Sequence, residues 1–587
     1  MKVMSICMGL GMLLMTIGCQ QNPSEPVADS RQNDYALFDA NGGFHRFSRY
    51  NDHKAIVLWV QGNGCPIVRN AMTDFKQFVA DYEQENVVFF MLNSNLQDDR
   101  AKVQAEAKAY DFPVPVLMDE AQLLAEALDI TLTSELLILH PTTRKVLFRG
   151  PINNRLDYEA QRPPTETYAR NALNAILKDT PLPENAAMAK GCTVTRTSKI
   201  NEESFTYTED IAPILTNHCV RCHKDDGIAP WSMTDYQTIR GWSSTIKQVL
   251  LSKRMPPWKA DPHIGDFKND FSLADSSAYA LYRWIETGME RGHGEDTLSK
   301  LPQKTKAWPL GTPDTIITLQ PETIPATGII PYRYQTFSLG LKEDTWLQGV
   351  GIQPGSTKAV HHIVLTNKET NKKSLIVNRP ARPWTDNYIA LGGGIDQSTM
   401  FPEGTGVFLK KGTELTIQIH YTPTGKEEED RTQLGFYYYD TPPEKEFYAL
   451  SPSNTTFTIP PHSSNVTLTV ADTLTKDIDI HYLVPHMHYR GTRMRMSVIA
   501  PSGEQQTLIS VPDYNFNWQY LYKLKEPIRV TKGSVILVEG TYDNSWQNPL
   551  NPDPSKELHF GIQSTDEMLI GFLNYTLAEP HKKTLTE

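Results

Sequence analysis

The first third of the chain alternates apolar runs with segments of helical periodicity. Residues 55–60 form an unbroken apolar run, which is typical of a buried strand. Residues 68–82 carry apolar side chains every three or four positions, which predicts an amphipathic helix. Similar reasoning predicts three more strands and a final helix, at 86–92, 135–139, 145–148 and 165–178. Together these elements predict one α/β domain over residues 34–183.

The rest of the chain divides into a helical part and a β part. Residues 205–300 favour a small all-α domain, in which 270–288 is a helix with one apolar face formed by Leu281, Trp284 and Ile285. From residue 323 onward, short alternating runs lie between Pro, Gly and Asn turns and predict an all-β region. We divide this region near residue 450, into 323–450 and 451–587. The intervening segments are interpreted as linkers, at 184–204 and 301–322.

Length and charge limit the classes of partner. The 587 residues are enough for three or four domains, and the formal net charge is −11 with no basic run. Nucleic acid is therefore excluded as an expected partner.

The N-terminus predicts export. Lys2 precedes an apolar stretch that ends at Gly18-Cys19, so residues 1–19 are interpreted as a lipoprotein signal peptide that resembles a bacterial lipobox. Acylated Cys19 would bind the membrane, and residues 20–33 would be the tether. The resemblance implies the bacterial periplasm or cell surface, with an outer-membrane lipid anchor. An uncleaved anchor helix is the alternative, and it also implies export.

A CxxCH motif lies at the start of the helical part. Cys219, Cys222 and His223 have the spacing of the c-type haem attachment motif, with two thioethers to the porphyrin and His223 as an iron ligand. The domain resembles a small cytochrome c with one haem. Met255, in a loop stiffened by two prolines, is the preferred distal ligand, and Met233 is the alternative. A chance occurrence of the motif is the competing interpretation.

The α/β domain contains one cysteine where its first long strand meets the following helix. Cys65, within Gly64-Cys65-Pro66, gives a resemblance to thioredoxin-like redoxins, and a thiolate there is stabilised by the helix dipole. Cys65 is not part of a CxxC motif, and Gly62 stands where the usual peroxiredoxins have Thr. Cys192 lies just beyond the domain. The two cysteines are either redox thiols or a structural disulfide, and a redoxin relative with little catalysis is also compatible.

Histidine and methionine patterns in the β region suggest metal ligands. They are His361-His362, His420, His486-Met487-His488 and Met568. Imidazole and thioether ligands together suit copper that cycles between Cu(II) and Cu(I). In a strand His486 and His488 face the same way, whereas the adjacent His361 and His362 need a bulge or a strand end. Taken singly, HxH is more often a surface pair and Met568 a core residue, but the joint pattern favours metal binding.

The order of these residues resembles the type II copper, ascorbate-dependent monooxygenases. The resemblance implies two jelly-roll-like β-sandwiches, each with one copper ion, facing across a solvent-filled cleft. It implies an electron-transfer copper at His361, His362 and His420. It also implies a catalytic copper that binds O2 at His486, His488 and Met568. The implied reaction is hydroxylation of an aliphatic C–H bond of a small molecule.

Substrate and electron donor are only partly constrained. Amidating members of the family bind a peptide carboxylate through an Arg and a Tyr, where this chain has Val484 and Phe572, so an apolar or neutral substrate fits better. Electrons would come from a cytochrome or a small-molecule reductant through the haem. The linker at 301–322 would let the haem approach the first copper domain without a fixed interface. The alternatives are an electron-transfer or thiol-redox protein and a copper-handling surface lipoprotein.

Overall fold

The structure is a computed structural model of the chain. It describes residues 34–158, 161–183, 187–197, 204–225, 227–301, 308, 310–367, 374–382, 385–392 and 398–579. Cys19, the signal peptide and the tether lie outside the described residues. Within the described part, no helix has the length and apolar character needed to cross a membrane.

The N-terminal domain is a twisted sheet with helices on both faces. Its seven strands stand in the order β2-β1-β5-β4-β3-β6-β7, with β3, β4 and β5 parallel. The strands are β1 (Ala36–Asp39), β2 (Phe44–Arg46), β3 (Ala55–Gln61), β4 (Val87–Asn93), β5 (Val116–Met118), β6 (Leu136–Leu139) and β7 (Val146–Gly150). The helices are α1 (Pro66–Asp81), α2 (Arg100–Tyr110), α3 (Leu123–Ala127) and α4 (Tyr168–Leu177), with a 3-10 turn at Phe47–Tyr50.

The predicted elements of this domain are confirmed to within a few residues. Strand β3 is buried along its whole length, as its unbroken apolar run requires, because helices cover both faces of the sheet. The amphipathic face of α1 packs on that strand, with the rings of Trp59 and Phe75 stacked at 4.4 Å. The strands predicted at 135–139 and 145–148 are β6 and β7, and they pair as an antiparallel hairpin.

The helical region follows and has its own small core. Its helices are α5 (Ala212–His218), α6 (Tyr236–Gly241), α7 (Ser243–Leu251) and α8 (Asp275–Glu286), with a π-helical turn at Tyr207–Ile211 and a 3-10 turn at Leu298–Lys300. Helix α8 is the predicted apolar-faced helix, with Leu281 and Trp284 buried against Tyr207 and Leu215. The described residues of this region thus form helices and connecting segments.

The remaining described strands build the β region. They are β8 (Thr315–Thr318), β9 (Glu322–Ile324), β10 (Arg333–Ser338), β11 (Thr345–Gln353), β12 (Val360–Asn367), β13 (Tyr388–Gly392), β14 (Ser398–Met400), β15 (Thr405–Leu409), β16 (Glu414–Tyr421), β17 (Glu428–Asp430), β18 (Gln433–Tyr438), β19 (Lys445–Leu450), β20 (Ser453–Asn454), β21 (Thr458–Ile459), β22 (Val466–Thr473), β23 (Ile478–His486), β24 (Gly491–Ile499), β25 (Gln505–Val511), β26 (Tyr522–Val530), β27 (Val535–Tyr542), β28 (Leu558–His559) and β29 (Leu569–Leu577).

Two four-stranded sheets pack on one shared ten-stranded sheet. The first has the order β10-β16-β12-β13, and the second has the order β22-β27-β24-β25. The shared sheet runs β26-β23-β29-β19-β15-β11-β18-β8, with β14 and β20 beside it. Each four-stranded sheet buries an apolar core against its half of the shared sheet. The result is two sandwiches joined edge to edge.

The shared sheet joins the two predicted halves of the β region and includes part of the predicted linker at 301–322. Strand β19 ends at the predicted division near residue 450, yet it pairs with β29 of the second sandwich as well as with β15 of the first. Strand β8 lies inside the segment interpreted as a linker and pairs with β18. Local apolar periodicity does not encode these pairings because they join residues far apart in sequence.

Residues 256–272, which we call the strap, leave the helical region and attach to the second sandwich. Backbone hydrogen bonds join Asp261 N to Ser510 O at 2.8 Å and Lys268 N to Lys523 O at 2.7 Å. The ring of Trp258 packs on Tyr522 at 4.8 Å within the core of that sandwich. The expectation of an approach to the first copper domain without a fixed interface is thus wrong, because the strap fixes the helical region to the second.

Candidate metal centres

Three histidines converge between two strands of the first sandwich. His362 on β12 stands directly opposite His420 on β16, and the pairing shifts between Val360 and His362 at a bulge. The bulge turns His361 to the same side, as the sequence required of adjacent histidines. His361 Nδ1 lies 2.9 Å from His362 Nδ1 and 3.2 Å from His420 Nδ1. We call these residues the three-histidine cluster, and their ligand atoms all lie within 4.8 Å of one another.

Burial keeps these imidazoles neutral. It is the main cause that lowers the pKa of His361 to about 4 and that of His420 to about 3, and mutual repulsion among the rings adds to it. The pKa of His362 is also held well below its usual value, first by burial. Neutral imidazole nitrogens that face one another are a ligand set for copper or another borderline metal.

The second candidate centre lies at the end of β23. His486 is the last residue of that strand and pairs with Ile570 of β29. Met568 lies two positions before Ile570 in the sequence. The rings of His486 and His488 are 5.3 Å apart, and both border one cavity together with Met568. We call His486, His488 and Met568 the second cluster.

Hydrogen bonds set which nitrogen of each histidine is available in the second cluster. His488 Nδ1 lies 3.2 Å from the carbonyl of Asp566, which can only accept, so Nδ1 carries the proton. His488 Nε2 is buried and has no hydrogen-bond partner. His486 Nδ1 lies 2.5 Å from Gln519 Oε1, which leaves its Nε2 available. Metal-binding histidines commonly have this arrangement.

A buried carboxyl group fixes the loop that carries His488. Glu567 accepts hydrogen bonds from the backbone N–H of His488 at 3.0 Å and of Arg490 at 2.8 Å. Burial raises the pKa of Glu567 to about 8. The Arg490 guanidinium is itself fully buried and donates to Thr565 O at 2.7 Å. In the sequence, Glu567 precedes Met568 and Arg490 lies two positions after His488.

One cavity reaches both clusters. It has a volume of about 870 Å³ and is bordered by His362 on one side and by the second cluster on the other. Val484 and Phe572, which replace the polar groups of the amidating enzymes, both line it. Most of the remaining wall is apolar, and Arg382 and Gln418 are among its polar groups. This cavity corresponds to the cleft that the sequence resemblance implied.

Two family models match this chain. The copper type II ascorbate-dependent monooxygenase, C-terminal domain, matches residues 448–585, and the AhpC/TSA family matches residues 29–148. The chain carries a copper monooxygenase domain and a redoxin domain. The first of these contains the second cluster. The N-terminal α/β domain is the redoxin.

Solved structures similar to this chain cover only a part of it. A hypothetical protein from Sinorhizobium meliloti 1021 is 23% identical, with 30% of this chain and 97% of that chain covered and a TM-score of 0.27. An uncharacterized conserved protein from Geobacillus kaustophilus is 27% identical, with 28% and 90% covered and a TM-score of 0.26. Peroxidoxin BcpB from Mycobacterium tuberculosis is 18% identical, with 25% and 94% covered and a TM-score of 0.20.

The structure brings the two cysteines of the redoxin domain into contact. Cys65 caps helix α1, and its Sγ lies 2.7 Å from Cys192 Sγ and 3.1 Å from Thr133 Oγ1. Cys192 is held there because its N–H donates to Thr133 Oγ1 at 2.9 Å and its carbonyl accepts from Thr133 N at 2.9 Å. The segment predicted as a linker at 184–204 is thus attached to the redoxin over its described residues.

The two thiols have unequal acidity. Burial raises the pKa of Cys65, but hydrogen bonds from Cys192 and Thr133 outweigh it and hold the pKa below its ordinary value. Burial and the neighbouring Cys65 raise the pKa of Cys192 to about 11. Cys65 is therefore the more acidic thiol of the pair.

The residues of the CxxCH motif lie after helix α5. Cys219 packs against the core of the helical region, and burial raises the pKa of its thiol to about 12. His223 Nδ1 lies 3.1 Å from the carbonyl of Trp231, so this nitrogen donates and Nε2 is left available. Burial lowers the pKa of His223.

The two candidate methionines differ in position. Met233 is buried in the helical core, and its N–H donates to His223 O at 2.8 Å. Met255 is half-buried just before the strap and borders a second cavity of about 390 Å³ between the redoxin, the helical region and the second sandwich. These contacts leave the choice of distal ligand open.

Two residues next to the clusters were missed by the sequence reasoning. Phe516 and Gln519 lie in the segment between β25 and β26, about thirty residues beyond the HxH triplet. Gln519 bonds His486, and the ring of Phe516 contacts both clusters. A Phe and a Gln in a loop give no sequence pattern that indicates such a role.

Proposed function

We propose that this protein is an exported copper monooxygenase that hydroxylates an aliphatic C–H bond of a small apolar or neutral molecule. The reaction consumes R–H, O2, two electrons and two protons, and yields R–OH and water. One observation carries the proposal, namely that a single cavity is bordered by both clusters. Copper would supply the oxygen and electron chemistry, and the chain would hold ligands and substrate.

The donor sets support two copper ions of unequal character. The three-histidine cluster offers imidazoles alone and would hold the electron-transfer copper. The second cluster adds the thioether of Met568, so it would hold the copper that meets O2. Each cluster has a buried, unpartnered Nε2, on His361 and on His488, which supports one metal ion in each. Gln519 and the carbonyl of Asp566 orient the two imidazoles of that cluster from behind.

The cavity walls support the proposed substrate class. Val484 and Phe572 offer no group that pairs with a carboxylate, and Ile570 and Leu521 extend the apolar wall. The Arg382 guanidinium is directed to the carbonyls of Ser451 and Ser453, at 2.7 and 3.0 Å. A neutral ligand would bury apolar surface here without leaving a charge unpaired.

We further propose that electrons arrive through a haem attached at Cys219 and Cys222. The hydrogen bond from His223 Nδ1 to Trp231 O supports this, because it leaves Nε2 as an iron ligand in the way that metal-bound histidines are usually oriented. The reductant that loads the haem would be a cytochrome or a small molecule. Export and acylation of Cys19 at the outer membrane are part of the same proposal and rest on the sequence alone.

The proposal predicts that Met568→Leu stops O2 consumption. Leucine preserves volume, so the free energy of unfolding should fall by less than about 1.5 kcal/mol. Removal of a group that only supports a metal ligand weakens metal binding roughly 10- to 100-fold. Loss of the thioether ligand itself should weaken Cu(I) binding at the second cluster at least as much. Copper analysis, Cu(I) competition with a chelator and an O2 electrode measure these effects.

Met494→Leu is the control, because Met494 is a methionine in the core of the second sandwich that does not border the cavity. It should keep both copper ions and full O2 consumption. Full activity and Cu(I) affinity in Met568→Leu would refute the ligand assignment. A wild-type protein that binds two copper ions and consumes no O2 under any reductant would instead favour copper handling.

The contact between Cys65 and Cys192 favours a second, thiol-based activity. A peroxide would oxidise the Cys65 thiolate to a sulfenic acid, and the Cys192 thiol would then condense with it to a disulfide and release water. The oxidation rate should rise with pH through the lowered pKa of Cys65. Thr133→Val removes a hydrogen bond to Cys65 and should move that rise to higher pH. Mass spectrometry of non-reduced digests detects the cross-link.

Cys192→Ser is the control for this activity and should leave Cys65 uncross-linked after the same treatment. If the wild-type peptides stay unlinked after oxidation, the pair has no redox role.

A further inference from the structure

A single phenyl ring contacts both clusters. The ring of Phe516 stacks on His361 at 5.2 Å and meets His488 edge-on at 5.6 Å, centroid to centroid. The distance between the ring centroids of His361 and His488 is therefore no greater than the sum of these two centroid distances. The same ring contacts His420 at 5.5 Å and His362 at 6.2 Å. One side chain thus touches four of the five histidines of the two clusters.

Hydrogen bonds hold the loop of Phe516 against the HxH triplet. The hydroxyl of Tyr514 accepts from Met487 N at 2.9 Å and donates to Met487 O at 2.6 Å. On the other side, Gln519 Nε2 donates to Phe516 O at 2.9 Å while its Oε1 accepts from His486. The ring is therefore fixed relative to the second cluster from both ends of its loop.

The ring of Phe516 is buried beside both clusters. Phe516 is fully buried and packs against Tyr489 at 4.7 Å. The cavity borders His362, His486 and His488, and Phe516 is not among the residues that line it. Substrate and water can thus reach the metal ligands from the cavity, while an apolar ring outside the cavity contacts both His361 and His488.

We propose that Phe516 is the positioning residue that couples the two copper sites. It sets their separation and provides a water-free contact for transfer of one electron between them. The step oxidises Cu(I) to Cu(II) at the three-histidine cluster and reduces Cu(II) to Cu(I) at the second cluster, with no proton or atom transferred. This inference rests on the proposed two-copper function and adds a route that does not need solvent or substrate in the cavity.

The test compares Phe516→Leu, Phe516→Ala and Phe516→Tyr in the full-length, copper-loaded protein. Fully reduced protein is mixed with one equivalent of ferricyanide, and rapid freeze-quench EPR follows the Cu(II) signals of the two sites as they redistribute. Leucine and alanine should slow the redistribution several-fold, because both remove the ring that contacts the two clusters. Tyrosine keeps the ring and should restore the wild-type rate.

Two further measurements separate coupling from a structural role. Pulsed EPR in D2O should show new exchangeable deuterons near Cu(II) in Phe516→Ala, because the vacated space admits water. Phe457→Leu removes a buried ring that stacks on Tyr542 in the same core, and it should change neither the rate nor the deuteron signal.

Wild-type redistribution rates in both Phe516→Leu and Phe516→Ala, with copper bound at both sites, would overturn the proposal. Should the alanine variant not fold, the leucine variant decides the question because it largely preserves core volume. The measurement uses neither substrate nor O2. If only the proposed hydroxylation is wrong, the protein should consume no O2, and the Phe516 variants should still slow the redistribution of the Cu(II) signals.

Discussion

Replacing Asp513 by alanine should lower the free energy of unfolding by about 3–5 kcal/mol, the usual cost of leaving a buried charge without its partner. The Asp513 carboxylate, 8% exposed, lies 2.7 Å from Lys259 Nζ and 3.1 and 3.3 Å from the guanidinium groups of Arg46 and Arg49. These residues belong to the second sandwich, the strap and the redoxin domain. The variant leaves three cations together, with Lys259 only 6% exposed. Urea unfolding followed by tryptophan fluorescence measures the loss.

Asp266→Ala is the control for this prediction. Asp266 also joins the strap to the second sandwich, through Lys525 Nζ at 2.6 Å, but both side chains are more than half exposed. Exposed pairs contribute about 0–1 kcal/mol, so the control should lose little. Equal losses in the two variants would show that burial of the Asp513 cluster does not stabilise the junction.

The effect of Asp513→Ala should depend on pH in one direction. Burial raises the pKa of Asp513, but the charges of Lys259, Arg46 and Arg49 outweigh it and hold the pKa below its ordinary value. A carboxyl with a lower pKa in the folded state stabilises the fold above its unfolded pKa, about 3.9, and loses that contribution as pH falls through the folded value. The difference between wild type and variant should therefore be full at neutral pH and shrink below about pH 4.

The sequence predicted much of this fold because its local patterns are strong. The run at 55–60 can only be a strand covered on both faces, and the structure buries it fully. Strand geometry also predicted a bulge, because the adjacent residues His361 and His362 can face one point only at such an irregularity. The structure has a bulge there. The family resemblance implied the grouping of these two histidines with His420, and the structure brings the three together.

Contacts between distant segments could not be predicted in this way. Lys259 and Asp513 lie 254 positions apart, and no periodicity links a lysine in one loop to an aspartate in another. Phe516 and Gln519 are ordinary loop residues until folding places them beside His361 and His486. Pairing of β19 with β29 is equally invisible to local patterns, which is why the division near residue 450 does not match the shared sheet.

The strap changes the expected path of electrons from the helical region. It begins directly after Met255, and Trp258 within it stacks on Tyr520 at 6.0 Å. Tyr520 is the neighbour of Gln519, which bonds His486 of the second cluster. A haem ligated by Met255 would thus be joined by a short, packed segment to the second sandwich. A tether between mobile domains would give no such fixed path.

Cys222→Ala should lose covalently bound haem, and with it the supply of electrons to the clusters. Cys219 and Cys222 are three positions apart beside His223, the arrangement that allows two thioethers to one porphyrin with an axial imidazole. Haem staining after denaturing electrophoresis should show a band near full length in wild type, strongly reduced in the single variant and absent when Cys219 is also replaced. An unstained wild-type band would refute the haem assignment.

Loss of the haem should remove a kinetic step that stopped-flow absorbance detects. In wild type, reduced haem should be reoxidised faster under O2 when copper is bound than when it is absent, because the strap holds the helical region against the second sandwich. Met255→Ala should remove the methionine–iron absorption band, alter the potential and slow this step, whereas Met233→Ala should not. The reverse result would make Met233 the distal ligand. Equal reoxidation rates with and without copper would mean that the haem donates to a different acceptor.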